Sequence, residues 1–247
     1  MKPAAVLTGL LLPTFALAWS TTVLGQVAAP TDFPSRETIV VDDSCQVLKE
    51  IMEIPAKGIP VALLADAKGI VVVPQMMKGG FVVGIRHGHG VMLVRDEKGG
   101  WRCPVFVTVT GGSVGWQIGL QSTDLILVFK TGKSVQQLLH GKFTIGADAA
   151  ATAGPVGREA AAATDATLAA EILSYSRTRG LFVGISLDGS AIQIDSVANA
   201  QYYRAMAAVS GRPPEIPASA QKLLDTVAGY TLTASAPAPR VTPVPQN

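Results

Sequence analysis

Charge is scarce in this chain. Only 15% of its 247 residues are charged, and the formal net charge is +2. No basic field is available, so electrostatics give no support to a nucleic-acid partner. Apolar residues make up 48%, which excludes disorder for most of the length and leaves a core-rich globular chain. About 220 residues remain if an N-terminal leader is removed, enough for one large domain or a domain with a tail. Cysteine is scarce too. Cys45 and Cys103 are the two thiols, so a disulfide framework is excluded. A single Cys45–Cys103 disulfide and two buried thiols both remain open.

Charge is almost absent at the N-terminus. Lys2 is the one charge before Asp32, and the apolar run "AAVLTGLLLPTFALA" follows it. Ala16-Leu17-Ala18 and Val23-Leu24-Gly25 are small-x-small cleavage signals, so residues 1–25 read as an export signal. Gln26 stands where a bacterial lipoprotein needs cysteine, which excludes lipidation there. Left uncut, the stretch from Pro3 to Pro30 is long enough to anchor in a bilayer. Pro13, Ser20, Thr21 and Thr22 favour cleavage. The expected location is outside the cytosol, periplasmic or secreted, with peripheral membrane association.

Residues 26–41 read as a polar, proline-bearing linker. The spacing of Val47, Leu48 and Ile51 predicts an amphipathic helix over Ser44–Ile54, stopped by Pro55. A second short helix is expected in "IPVALLADAKG". From Gly69 the period changes to two. The runs "GIVVVPQM", "GGFVVGIR" and "GVMLVRDEKGGW" predict short strands punctuated by glycine, and "EKGGW" a hairpin loop. "CPVFVTVTGG", "GWQIGLQ" and "DLILVFK" continue the pattern. "SVQQLLHG" reads as a helix closed by Gly141. "EILSYSR" and "GLFVGISLDGSAIQID" return to strands, with Asp188-Gly189 as a type I′ turn. "SVANAQYYRAM" reads as a helix. After the break "GRPPEIP" come one further helix and a Pro/Ala tail. The fold class is α+β, a curved or barrel-like antiparallel sheet flanked by short helices.

Chemistry-bearing motifs are sparse. Gly111-Gly112-Ser113-Val114-Gly115 matches G-x-S-x-G, but the nucleophile elbow needs a helix directly afterwards and a strand pattern follows. Gly132-Lys133-Ser134 resembles the end of a P-loop, yet Leu127 occupies the position of the required first glycine. His87 and His89 fall on the same side of a strand. A metal site needs a third and usually a fourth ligand, and the flanking glycines favour exposed loop histidines. "GPVGRE" carries two glycines spaced for close backbone approach, or for a tight turn. No catalytic residue, metal ligand or cofactor is assigned. In "SYSRTRG" strand alternation places Tyr175, Arg177 and Arg179 on one face. Arginine forks suit phosphate. Cross-strand pairing with Glu171, Asp188 or Asp195 explains the same stripe more simply.

Several of these blocks occur together and in order: "AKGIVVVP", "KGGFVVG", "GHGVMLVR", "WRCPVFVTVTGGSVGWQIG", "TDLILVF", "GADAAATAGPVGR", "SYSRTRGLFVGISLDGS" and "NAQYYR". From about Asp42 to Met206 the chain resembles the SYLF domain. The resemblance implies a non-enzymatic lipid-binding module. Eukaryotic SYLF proteins bind phosphoinositides and regulate actin at membranes, and the yeast members bind actin and nucleation factors. Membrane contact in the family is attributed to an N-terminal amphipathic helix and a basic surface. Carried onto this chain, the implied contacts are Val47, Leu48, Ile51 and Met52 on the helix, with Lys78, Arg86, Arg158, Tyr175, Arg177 and Arg179. The chain departs from the family in two places. His89 replaces the lysine-like residue of the GxG turn, and Lys49 is balanced by Glu50 and Glu53, so the helix lacks the polybasic face of a lipid-surface helix. Export would also separate the chain from actin. The implied partner is membrane lipid; the rival reading is an envelope protein reached through the C-terminal Pro/Ala tail, within residues 212–247, and residues 207–247 read as a short helix and that tail.

Overall fold

The computed structural model describes residues 34–54, 58–156, 170–178, 181–182, 187–210 and 216–234. Helix α1 spans Arg36–Met52 and α2 Val61–Asp66. Two long strands follow, β1 (Gly69–Val94) and β2 (Val105–Phe129), then α3 (Gly132–Leu139). The short strands are β3 (Lys142–Thr144), β4 (Ala151–Ala153), β5 (Ile172–Thr178), β6 (Leu181–Phe182) and β7 (Ala191–Ile194). Helices α4 (Ser196–Ser210) and α5 (Ala218–Ala234) complete the described elements. The α+β reading with a curled sheet holds.

The sheet is organised around β2. Strand β1 pairs antiparallel along one edge, from Gly69 opposite Phe129 to Met92 opposite Val105. The other edge is shared. Strand β7 pairs with Val107–Thr110, and β5 pairs with Asp124–Phe129. Strand β3 lies outside β7, and β6 pairs with the end of β5. The β4–β5 pair is parallel, so the sheet is mixed where antiparallel pairing was expected throughout. The expected run of short strands is in fact two long ones. Glycine bends β1 and β2 without ending them. A Cβ on Gly90 would lie 2.2 Å from the Val72 carbonyl oxygen, so β1 coils until its two ends touch. Only glycine permits that approach. The loop after β1 matches the expected "EKGGW" hairpin, with the Asp96 carboxylate accepting from the Lys98 and Gly100 amides.

Alternation of side chains gives two cores. Ile70, Val72, Ile126 and Val128 face a helical layer of α1, α2, α4 and α5. Val71, Val73, Leu125, Leu127 and Phe129 face α3 and the curled end of the sheet, where Val135, Leu138, Phe143 and Ile192 pack. "DLILVFK" reads as uniformly apolar because it is buried on both faces.

Three boundaries differ from expectation. Helix α1 starts eight residues early, at Arg36, because the Ser35 hydroxyl caps the Thr38 amide. β-branched Val40 and Val41 had masked this turn, and the supposed linker therefore contributes to the core. Helix α5 is not an appendage: Ala220, Leu223, Leu224 and Val227 are buried in the same core as α1. The Leu187–Ser190 turn closes with a 2.8 Å hydrogen bond, but Gly189 alone has positive φ (+74°), so the turn is not type I′.

Candidate functional site

Tyr175, Arg177 and their neighbours form a structural knot. The Arg177 guanidinium, on β5, donates to the Asp124 carboxylate of β2 at 2.8 Å and to the Glu50 carboxylate of α1. Helix and sheet are stapled at that point. Asp124 also accepts the Gln75 amide at 3.0 Å. Gln75 has φ +49°, at the bulge where the β1–β2 register shifts, so one carboxylate holds a strained backbone and a half-buried cation. Hydrogen bonds from Gln46 and then Arg177 hold the Glu50 carboxyl below its ordinary range. For Arg177 these two carboxylates stand where Glu171, Asp188 or Asp195 were expected.

Tyr175 is fully buried on the core side. Its hydroxyl donates to the Pro155 carbonyl at 3.3 Å, and burial pushes its acidity far down. The ring rests on Gly154. A Cβ there would stand 2.1 Å from Cζ. The first glycine of "GPVGRE" thus makes room for an aromatic ring of the next signature block. Arg86 is buried on β1, where desolvation lowers its basicity and nearby Asp188 opposes the shift. Lys78 is half-buried. Arg158 and Arg179 lie outside the described residues. On α1, Val47, Leu48 and Ile51 are buried against α5 and the sheet, and Met52 packs on that core. This apolar face is therefore spent inside the molecule, and among the described residues it does not join Lys78, Arg86 and Arg177 in one surface.

The other motifs are also accounted for. The backbone of Ser113 sits inside β2 opposite Gly84, so the strand–turn–helix of a nucleophile elbow is not formed there. At the start of α3, Thr131 and Ser134 donate their hydroxyls to the Glu171 carboxylate. An internal anion already occupies that helix terminus and is held in its charged form by these bonds. Cys45 and Cys103 are free thiols, and Cys45 Sγ lies 3.3 Å from the Thr226 hydroxyl of α5. Asn199 of "NAQYYR" pairs with both backbone groups of Phe106, accepting at 3.0 Å and donating at 3.2 Å, as a neighbouring strand would. Tyr203 donates to the Pro104 carbonyl at 2.6 Å.

Two surface features stand out among the described residues. The first is the middle of the β1–β2 ribbon. There β2 lies between its pairings with β7 and β5, and among the described residues it has no partner but β1. No charged residue occurs from Gly79 to Ile85 or from Gly111 to Thr123. Leu120 is 80% exposed, Ile85 72% and Met77 43%. Sequence reasoning missed these residues because glycine-rich apolar strands look like core. Their lack of charge and their length were the available signal. The second is a cleft of about 150 Å³ between α1, β1 and the start of α4, lined by Arg36, Glu37, His89, Asp195 and Gln201 among others. His87 and His89 sit within β1, not in a loop.

Comparison with known proteins finds relatives over much of this chain. Residues 110–230 match the family model described as Ysc84, Las17-binding protein actin regulator. The SH3 domain-containing YSC84-like protein 1 of Rattus norvegicus is 31% identical over 208 residues, 80% of this chain and 61% of the relative. The LAS seventeen-binding protein 3 of Saccharomyces cerevisiae is 35% identical over 148 residues, 59% of this chain and 32% of the relative. This chain therefore spans about three fifths of the mammalian relative and one third of the yeast one.

Proposed function

We propose, from the premise that the chain belongs to the Ysc84 (SYLF) family, that it is a non-enzymatic module which binds lipid at a membrane surface through the middle of the β1–β2 ribbon. The observation that carries this reading is the exposure of Ile85 and Leu120 on an uncharged two-stranded ribbon. Fully burying one such side chain is worth roughly 1.5–3 kcal/mol. A polar or acidic protein partner would find no charge there to pair with. Among the described residues one backbone edge of the ribbon is unpaired, which restricts it to the interfacial zone, because unpaired amides are costly in hydrocarbon. Contact is peripheral as a result. Among the described residues no helix is long and apolar enough to cross a membrane. Among the described residues Lys78 is half-buried and Arg86 is buried beside the ribbon, so discrimination between neutral and anionic lipid is weak. The export-type N-terminus argues for an envelope membrane and against the actin named in the family description.

Vesicle co-sedimentation tests the reading, with phosphatidylcholine alone and with phosphatidylglycerol added. Binding to both is expected, and Ile85→Asp with Leu120→Asp weakens it more than tenfold. A folded double variant that sediments like the parent overturns it.

One observation favours a second reading. The yeast relative is named for binding a protein, so an envelope protein met through the Pro/Ala tail is the rival. Deleting residues 235–247 tests it and spares α5. A partner lost on that deletion, with no vesicle binding by the parent, selects the rival.

A further inference from the structure

His87 and His89 carry an arrangement that neither the lipid reading nor the relatives' names explain. The two residues are i and i+2 on β1, opposite Thr110 and Thr108. Their Nε2 atoms lie 3.2 Å apart, with rings nearly perpendicular at 86°. The far nitrogen of His89, Nδ1, faces the Thr108 hydroxyl at 3.4 Å and the Asp195 carboxylate at 3.8 Å. Those acceptors favour the tautomer with its proton on Nδ1. The His89 Nε2 then presents a lone pair toward His87, whose own Nε2 proton completes a hydrogen bond.

We infer that His87 and His89 form a divalent transition-metal site, with Nε2 of each imidazole as ligand. A Zn²⁺ ion about 2.05 Å from each nitrogen, spanning a 3.2 Å separation, makes an N–metal–N angle of about 103°, close to tetrahedral. The ion takes the place of the shared proton: His87 changes tautomer, its one proton leaving Nε2 and solvent returning one to Nδ1, so both rings stay neutral and no net proton is released. Asp195 acts through Thr108, whose hydroxyl faces His89 Nδ1 and donates to the Asp195 carboxylate at 3.4 Å, a carboxylate-backed outer contact of the kind that orients a ligating histidine. Asp195 is itself fixed, since its other oxygen accepts the Ala198 amide at 2.9 Å at the start of α4. Among the described residues no third His, Cys, Asp or Glu joins the pair. Two protein ligands are one fewer than an open zinc site uses, so water or an incoming anion fills the remaining positions and the affinity is modest.

Titration of the full chain with Zn²⁺ tests this, followed by calorimetry and by ¹⁵N NMR of the imidazoles. The expected result is one ion per chain and a shift of both Nε2 resonances. His87→Ala and His89→Ala each weaken binding at least tenfold. Asp195→Asn, which keeps the cap on α4, weakens it about tenfold or more. Two results overturn the inference: no Zn²⁺ binding by the parent, or binding that the His87→Ala, His89→Ala double variant retains. The lipid reading is unaffected by either, because vesicle binding is measured without metal and the ribbon variants leave both histidines in place.

Discussion

Gly154→Ala is the sharpest probe of how the fold is locked. The added methyl would meet three atoms of Tyr175, at 2.1 Å from Cζ, 2.4 Å from Oη and 2.6 Å from Cε1. None of these belongs to a mobile chain end. The ring is buried in the core and its hydroxyl is tied to Pro155. The backbone cannot retreat easily either, because the Gly154 amide donates to the Ser174 carbonyl at 2.9 Å. Overpacking of this kind costs about 1–3 kcal/mol, and the upper end applies where neither side can yield. Urea denaturation measures it, as a fall in midpoint at unchanged slope. The second arm is Tyr175→Leu. Alone it loses a ring and a hydroxyl bond and is destabilising, yet it removes the atoms that the methyl strikes. The double variant should therefore be more stable than the sum of the singles by at least about 1 kcal/mol. A Gly154→Ala cost under about 0.5 kcal/mol, or strict additivity, refutes the argument.

Three further outcomes are expected. Asp124→Ala removes the acceptor for both Arg177 and the strained Gln75 amide, and lowers stability by about 2–3 kcal/mol in denaturant, while Asp124→Asn, which keeps one acceptor oxygen, costs less. Asn199→Ala strips the partners from Phe106 and costs about 2 kcal/mol, read in the same assay. Glu50 titrates below its ordinary value near 4.5; the stability it lends is complete above that value and fades as pH falls through the lowered one, and in an NMR titration Arg177→Met moves Glu50 part of the way back while Gln46 still holds it.

The signature blocks were legible because each is used locally. Gly141 closes α3, and Asp96 with Gly99 turns the β1–β2 hairpin. "DLILVFK" showed a strand buried on both sides. What the sequence hid was long-range. Gly90 reads as strand punctuation, and only the coiled sheet reveals Val72 against it. The Tyr175, Arg177, Arg179 stripe suggested one surface. Yet Tyr175 turns into the core, and Arg177 reaches Glu50, 127 positions away in the chain. No local pattern encodes such a partner. The α1 amphipathicity was read correctly as a pattern, but periodicity does not say whether the apolar stripe meets a membrane or another helix. Here Leu223 and Val227 of α5 share its core, beyond a proline-rich break that resembles the end of a domain.

That late arrival of α5 bears on how the chain folds. Cys45 meets Thr226 across 181 positions, and Asp42 meets Lys222 across 180. Closing a loop of that size carries a large entropic cost before any contact rewards it, and contacts of such separation make folding slow. During synthesis α1 emerges early, and its apolar stripe waits for α5, which leaves the ribosome after the whole sheet. Through that interval the helix is an amphipathic segment without its partner, and it is then most vulnerable to aggregation and most in need of a chaperone.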